Sequence, residues 1–155
     1  MRIGVPKEIK PQENRIGLTP DSVKTLVSEG HEVLVENNGG FEAGFDNDQY
    51  KNAGAKIIKK ATDIFNDAEI IVKVKEPQKV EVEMIKENQI VYTYLHLAAA
   101  KELTEGLVKS KSINIAYETI TDDNGRLPLL APMSAVAGRM SCLLYTSPSP
   151  RDLST

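Results

Sequence analysis

Apolar and polar positions alternate along the chain in short blocks of two periods. Arg2-Ile3-Gly4-Val5 reads as a first strand. Thr19-Pro20-Asp21 then supplies an N-cap, a proline at the first helical position and an early acid. A helix through Val23, Leu26 and Val27 is predicted to stop at Gly30, a residue suited to the left-handed C′ position. Glu32–Glu36 reads as strand two, ended by Asn37-Asn38-Gly39-Gly40. A short helix over Asp46–Ala53 ends at Gly54, Lys56–Ile58 is a brief strand, and Thr62–Asp67 adds a further helical turn or two. Strands four, five and six are predicted at Glu69–Val74, Gln89–Tyr94 and Ile113–Tyr117, with helices from about Val80 to Glu87 and from Ala98 to Ser110. Asp122-Asp123-Asn124-Gly125 is a turn with hairpin character. Such regular alternation predicts an α/β fold, a Rossmann-like open and mostly parallel sheet flanked by helices.

The pattern breaks near the end. Ser134 to Met140 is small, apolar and helix-compatible, like the first turns of a longer helix. The stretch from Cys142 to Thr155 carries Pro148 and Pro150, which forbid that helix from continuing. In one reading frame this stretch matches a transposase adapter used in sequencing libraries. The expected division is therefore 1–133 as the N-terminal segment of a truncated substrate domain, 134–141 as the start of an inter-domain helix, and 142–155 as a tail that is not native.

Composition narrows the class. With 41% apolar and 26% charged residues the chain is ordinary for a globular protein. Its net charge of -3 argues against nucleic acid as a partner, which favours a strongly basic face. No apolar run approaches the roughly 18 residues that would span a membrane. Met1-Arg2-Ile3-Gly4 enters a strand at once with no signal-peptide pattern ahead of it, so a cytoplasmic location is expected. One cysteine, Cys142, excludes an intrachain disulfide framework, and two histidines leave few ligands for a metal.

Candidate chemistry sits at strand ends, the edge of an open α/β sheet where ligands bind. Lys75 closes the run Ile71-Val72-Lys73-Val74-Lys75, just before Pro77. Strict alternation sends Ile70, Val72 and Val74 to one face and Ile71, Lys73 and Lys75 to the other. Lys75 is either a carboxylate-holding cation or a solvated strand-end lysine. His96 ends the fifth strand and is suited to proton transfer near neutral pH; the competing reading is a histidine that caps the helix beginning near Ala98. Arg15 lies in the polar loop after strand one, either as a bidentate clamp for a carboxylate or as half of a surface ion pair. Gly39, Gly40, Gly44 and Gly138 do not match the spacing of a dinucleotide fingerprint, and no P-loop is present. The segment is not expected to carry its own dinucleotide site.

Five blocks in order carry a resemblance: Met1-Arg2-Ile3-Gly4-Val5-Pro6-Lys7-Glu8, Glu13 to Pro20, Lys73-Val74-Lys75-Glu76-Pro77, Tyr94-Leu95-His96-Leu97-Ala98, and Pro132 to Met140. From Met1 to about Ser141 the chain resembles the N-terminal part of the alanine dehydrogenase family, shared with the nicotinamide nucleotide transhydrogenase alpha subunit. Saccharopine dehydrogenases are more distant. The resemblance implies that Arg15 and Lys75 hold the substrate carboxylate or carbonyl, and that His96 acts in acid–base chemistry and positioning. It further implies that Met133 and Ser134 touch the NAD cofactor, with Tyr117 and Glu118 in support. The implied reaction is oxidation of L-alanine to pyruvate and ammonia with reduction of NAD, reversible, in a homohexamer. The cofactor domain would follow residue 141. A transhydrogenase-like domain and a non-catalytic carboxylate-binding module are the alternatives; retaining both Lys75 and His96 favours the dehydrogenase.

Overall fold

The computed structural model describes residues 1–146, so residues 147–155, most of the stretch read as foreign, lie outside the described residues. The chain divides into two compact units, Met1–Ala116 and one beginning at Tyr117. In the first unit six strands form one sheet: β1 (Arg2–Val5), β2 (Glu32–Glu36), β3 (Lys56–Ile58), β4 (Ile70–Val72), β5 (Ile90–Thr93) and β6 (Ile113–Ala116). Their order is β3-β2-β1-β4-β5-β6, and every neighbouring pair is parallel. Helices α1 (Pro20–Ser28), α2 (Asn47–Asn52), α3 (Ala61–Asp67), α4 (Lys79–Val82) and α5 (Lys101–Ser110) fill the connections.

Strand alternation builds two cores. Ile3, Val5, Val33, Val35 and Val72 pack with Val23 and Tyr50, contributed by α1 and α2. Leu34, Ile71 and Val91, one residue out of phase, pack instead with Ile64, Phe65, Ile85 and Leu107. This phase change places helices on both faces of the sheet, as a parallel sheet requires. Local signals set the helix ends. Thr19 Oγ1 accepts the Ser22 N–H, Pro20 opens α1, and Gly30 takes a positive φ of 82° just beyond its C-cap. At α2 the Asp46 and Gln49 side chains exchange hydrogen bonds with each other's backbone in a capping box.

Three elements differ from the periodic reading. Strand β4 ends at Val72 rather than Val74, because a bend at Val74–Lys75 follows it. The helix expected to Glu87 is the single turn α4, after which Asn88, at φ 64°, turns the chain back into β5. The helix expected from Ala98 is split into a 3-10 turn at Leu97–Ala99 and α5. In the second unit, Gly125 closes the Asp122–Arg126 turn at φ 73°, with no strand flanking it among the described residues. Helix α6 (Ala131–Thr146) follows, with Val136, Met140, Leu143 and Tyr145 exposed. No helix of the described residues is long and apolar enough to cross a membrane.

Candidate active site

The chain runs from β1 outward to β2 and β3, then crosses back to place β4 on the other side of β1. The β1/β4 boundary is thus the point where the strand order reverses, and loops leaving the carboxyl ends there diverge to open a crevice. Three loops meet at that edge: 6–19 after β1, 73–78 after β4, and 94–100 after β5. They carry Arg15, Lys75 and His96 respectively.

The β1 loop is fixed by apolar and backbone contacts. Ile16 is buried in the first core, and the Tyr50 hydroxyl donates to the Leu18 carbonyl at 2.8 Å. Burial without a countercharge pushes the Tyr50 phenol up to about 12. Gly17 lies against the end of β4 so closely that a Cβ there would stand 2.6 Å from the Val72 carbonyl oxygen. Beyond that contact Arg15 projects from the loop with its side chain half exposed. Its Nε and Nη2 donate to the two oxygens of Glu13 at 2.7 and 2.5 Å. The hydrogen-bonded Arg15 guanidinium holds the Glu13 carboxyl below the usual carboxylate range against the opposing effect of burial, and Lys75 adds to the lowering. Arg15 and Lys75 therefore act on one and the same carboxylate.

Lys75 is anchored through its backbone. Its N–H donates to Glu8 Oε1 at 3.3 Å, and its carbonyl accepts the buried Thr93 hydroxyl at 2.9 Å. Its side chain is partly exposed, whereas Lys73, two residues earlier, is fully buried. Lys73 Nζ sits between Glu8 Oε2 at 3.0 Å and Glu81 Oε1 at 2.7 Å, both carboxylates almost fully buried. Desolvation raises the Glu81 carboxyl above its ordinary range despite the Lys73 charge and hydrogen bond. The two lysines thus divide: one neutralises buried acid inside the fold, and the other is partly exposed in the loop after β4.

His96 is exposed, and its backbone is left-handed at φ 51° and ψ 38°. That conformation is uncommon outside glycine, though histidine is among the residues enriched there, and such backbone clusters at working sites. The histidine sits at the N-cap position of the Leu97–Ala99 turn, but its side chain makes no capping hydrogen bond. Its ring stacks on Tyr94, with centroids 6.1 Å apart and planes 12° from parallel. Tyr94 lies in turn within the field of Arg15. Glu76 is held below its usual range: burial opposes its charge, but Lys10 and, more weakly, His96 outweigh it. A Lys10–Glu76 ion pair adds a second bridge between the β1 and β4 loops.

The resulting edge presents an arginine, a lysine and a histidine from three loops. The cleft beside Arg15, of about 240 Å³, is lined by Lys7 and Lys10 and equally by Glu8, Glu13 and Glu42; Lys75 and His96 lie outside its lining. A larger cleft of about 470 Å³ opens at the opposite edge of the sheet, among Glu32, Asp67 and Glu69. Arg2, the one arginine in its lining, is paired with Glu32. Met133 and Ser134 belong to the second unit, on the first turn of α6. Met133 is half-buried, and Ser134 Oγ donates to the Leu130 carbonyl at 3.3 Å. The Glu8–Lys73–Glu81 network escaped the sequence reading. Its one signal was a lysine in the middle of an apolar strand, where a cation demands buried acid.

Comparison with known proteins fits this edge into a family. The family described as "Alanine dehydrogenase/PNT, N-terminal domain" matches residues 4–137. An alanine dehydrogenase of Staphylococcus epidermidis is 52% identical over 141 residues, covering 91% of this chain and 38% of that protein. One from Methanococcus maripaludis is 49% identical over 144 residues, covering 93% and 39%. A solved L-alanine dehydrogenase superposes with a TM-score of 0.88 at 52% identity, over 91% of this chain and 39% of that one. A transhydrogenase from Sinorhizobium meliloti superposes at 0.73 with 26% identity, over 77% and 36%. The chain spans less than two fifths of the length of these relatives. It belongs to the alanine dehydrogenase/PNT N-terminal domain family.

Proposed function

We propose that this family member is the substrate-holding part of an NAD-dependent alanine dehydrogenase, which converts L-alanine, water and NAD into pyruvate, ammonium, NADH and a proton, reversibly. The observation that carries the reading is the delivery of Arg15, Lys75 and His96 to one edge by the loops after β1, β4 and β5. Arg15 binds the substrate carboxylate in bidentate fashion by exchanging Glu13, the carboxylate that now fills its planar fork, for it. Lys75, pinned at its N–H and carbonyl, holds the carboxylate and the carbonyl oxygen of pyruvate. An ammonium there stabilises negative charge on that oxygen. His96 takes and returns the protons of the amine and of the water that replaces it, and the Tyr94 stack fixes its ring plane. Three loops closing on a small carboxylate turn a bimolecular encounter into an oriented one.

The nicotinamide cofactor, when bound, supplies the two-electron change at the alanine Cα. The Met133 thioether and the Ser134 hydroxyl suit an apolar and polar contact to that ring, and both are assigned to it here. The described glycines offer no cradle for a pyrophosphate, so that part of the cofactor belongs to another segment of the longer protein. The same reading takes 1–133 as substrate domain, 134–141 as the start of an inter-domain helix and 142–155 as foreign sequence. It takes the full-length protein as a cytoplasmic homo-oligomer, hexameric by resemblance. The transhydrogenase alternative is the more distant structural match.

The test is L-alanine-dependent NADH formation by the full-length protein that carries this segment. His96→Ala is expected to lower kcat by about 10²–10⁴-fold, the range for losing an acid–base group. Lys75→Ala is expected to impair alanine and pyruvate turnover while sparing NAD binding. No alanine-dependent turnover in the wild type, or normal turnover in His96→Ala, would overturn the reading.

A further inference from the structure

Strand β4 has ended before Lys75, so the Val74 and Lys75 N–H groups have lost the partners a sheet would give them. One side chain replaces those partners. Glu8 Oε1, from the loop after β1, accepts the Val74 N–H at 2.6 Å and the Lys75 N–H at 3.3 Å. Its other oxygen accepts Lys73 Nζ at 3.0 Å, and Lys73 continues to Glu81. Glu81 Oε2 accepts the Gln78 N–H at 2.8 Å, at the entry to α4. The segment 73–78 is therefore gripped at both ends by buried carboxylates bridged through one ammonium. Between the two grips, the Thr93 hydroxyl holds the Lys75 carbonyl. Glu8 and Arg15 share a loop, so the same clasp sets the Arg15 side of the crevice against the Lys75 side.

We propose that Glu8 is a positioning residue for Lys75: its buried carboxylate stands in for a strand partner and fixes where the lysine ammonium is presented to substrate. The proposal rests on the substrate role given to Lys75 above. A carboxylate is needed because Oε1 takes two backbone donors while Oε2 takes an ammonium, and all of them donate. A glutamine offers one accepting oxygen and an NH₂ group that accepts nothing, so either the backbone pair or Lys73 loses its partner.

The experiment is a double-mutant cycle in the full-length protein, with steady-state kinetics on L-alanine and on NAD. Glu8→Gln is expected to lower kcat/KM for alanine by about 10²-fold, the scale of a small misplacement of a reacting group, with KM for NAD little changed. On a Lys75→Ala background the same change is expected to add less than about threefold, because the group it positions is gone. Where Glu8→Gln does not accumulate as folded protein, Glu8→Asp, which keeps the charge on a shorter arm, takes its place in the cycle with the same coupling expected. If Lys75→Ala impairs alanine turnover but the Glu8 change is fully additive with it, or raises KM for NAD to the same degree, the clasp is wrong while the Lys75 role stands. If Lys75→Ala leaves alanine turnover intact, the role of Lys75 falls and the clasp with it.

Discussion

Replacing Lys73 by methionine removes a charge from the fold's interior while nearly keeping its volume, so the loss it causes is electrostatic. Glu8 and Glu81, each with about 2% of its side chain exposed, lie within 3.0 Å of the Lys73 nitrogen. Without that nitrogen the two carboxylates face one another with no cation between them. At a separation of about 5 Å and an effective dielectric near 20, their repulsion is about 3 kcal/mol. Breaking a buried ion network by deleting one member costs about 3–5 kcal/mol, and that is the loss expected at pH 7.5. The sign of its pH dependence follows from Glu81, whose carboxyl burial already holds above its ordinary range. Without Lys73 the raised value moves higher still, so the folded chain takes up a proton before the unfolded chain does. The penalty is therefore full above the raised value and shrinks as pH falls through it toward the ordinary glutamate value of about 4.3. Urea unfolding of the 155-residue chain, followed by far-ultraviolet circular dichroism at pH 7.5 and pH 5, measures both. A loss below about 1 kcal/mol, the scale of an exposed pair, would mean that Lys73 does not neutralise the two buried acids. So would a loss that is larger at pH 5.

Three further outcomes are expected. Glu81→Gln removes a desolvated charge and leaves Lys73 paired with Glu8, but its NH₂ group deprives either Lys73 or the Gln78 N–H of an acceptor, so stability at pH 7.5 falls by about 1–3 kcal/mol. Its unfolding free energy is also flatter between pH 5 and 7.5, since an ionised Glu81 loses stability as pH rises through its raised value; an unchanged pH profile contradicts this. Gly17→Ala drives a Cβ to 2.6 Å from the Val72 carbonyl oxygen and costs about 1–3 kcal/mol, the range for overpacking, measured by the urea midpoint. A midpoint equal to wild type would show that the loop moves freely off β4. The Glu13 carboxyl titrates below about 4.3 by NMR because Arg15 hydrogen-bonds its charged form. The stabilisation from this pair, whose arginine is half-exposed, is present above that ordinary value and is lost as pH falls through the lowered one; a midpoint at or above the ordinary value argues against the Arg15–Glu13 pairing.

The sheet was legible where two signals coincided. For β1, β2 and β3 the alternation was bounded by turn residues or by a cap, and their ends match the structure. Legibility failed where a distant side chain decides the backbone. Alternation predicts strand four to Val74, but the chain bends there and Glu8, 66 residues before Val74, accepts its N–H in place of a strand partner. Alternation also placed Lys73 and Lys75 together, since nothing local says that one of them is matched by two acids from elsewhere in the chain. The break between the Leu97–Ala99 turn and α5 was hidden because Leu97-Ala98-Ala99-Ala100 is a run of good helix formers; the left-handed His96 before it carries no periodic mark. Lys75 and His96 stand out in the sequence because each lies just past a strand end, and Arg15 because it lies in the polar loop that follows β1. Glu8, also just past a strand end, was passed over because a carboxylate does not suggest itself as part of an anion site.

If the loops after β1, β4 and β5 form a seat for a small carboxylate, ¹H–¹⁵N spectra of the 155-residue chain will report it as pyruvate is added. The expected result is saturable shifts at the amides of Arg15, Lys75 and His96, at one midpoint for all three. Shifts confined to Arg2, Glu32 and Glu69 at the opposite edge, or none at the β1/β4 crevice, would contradict it.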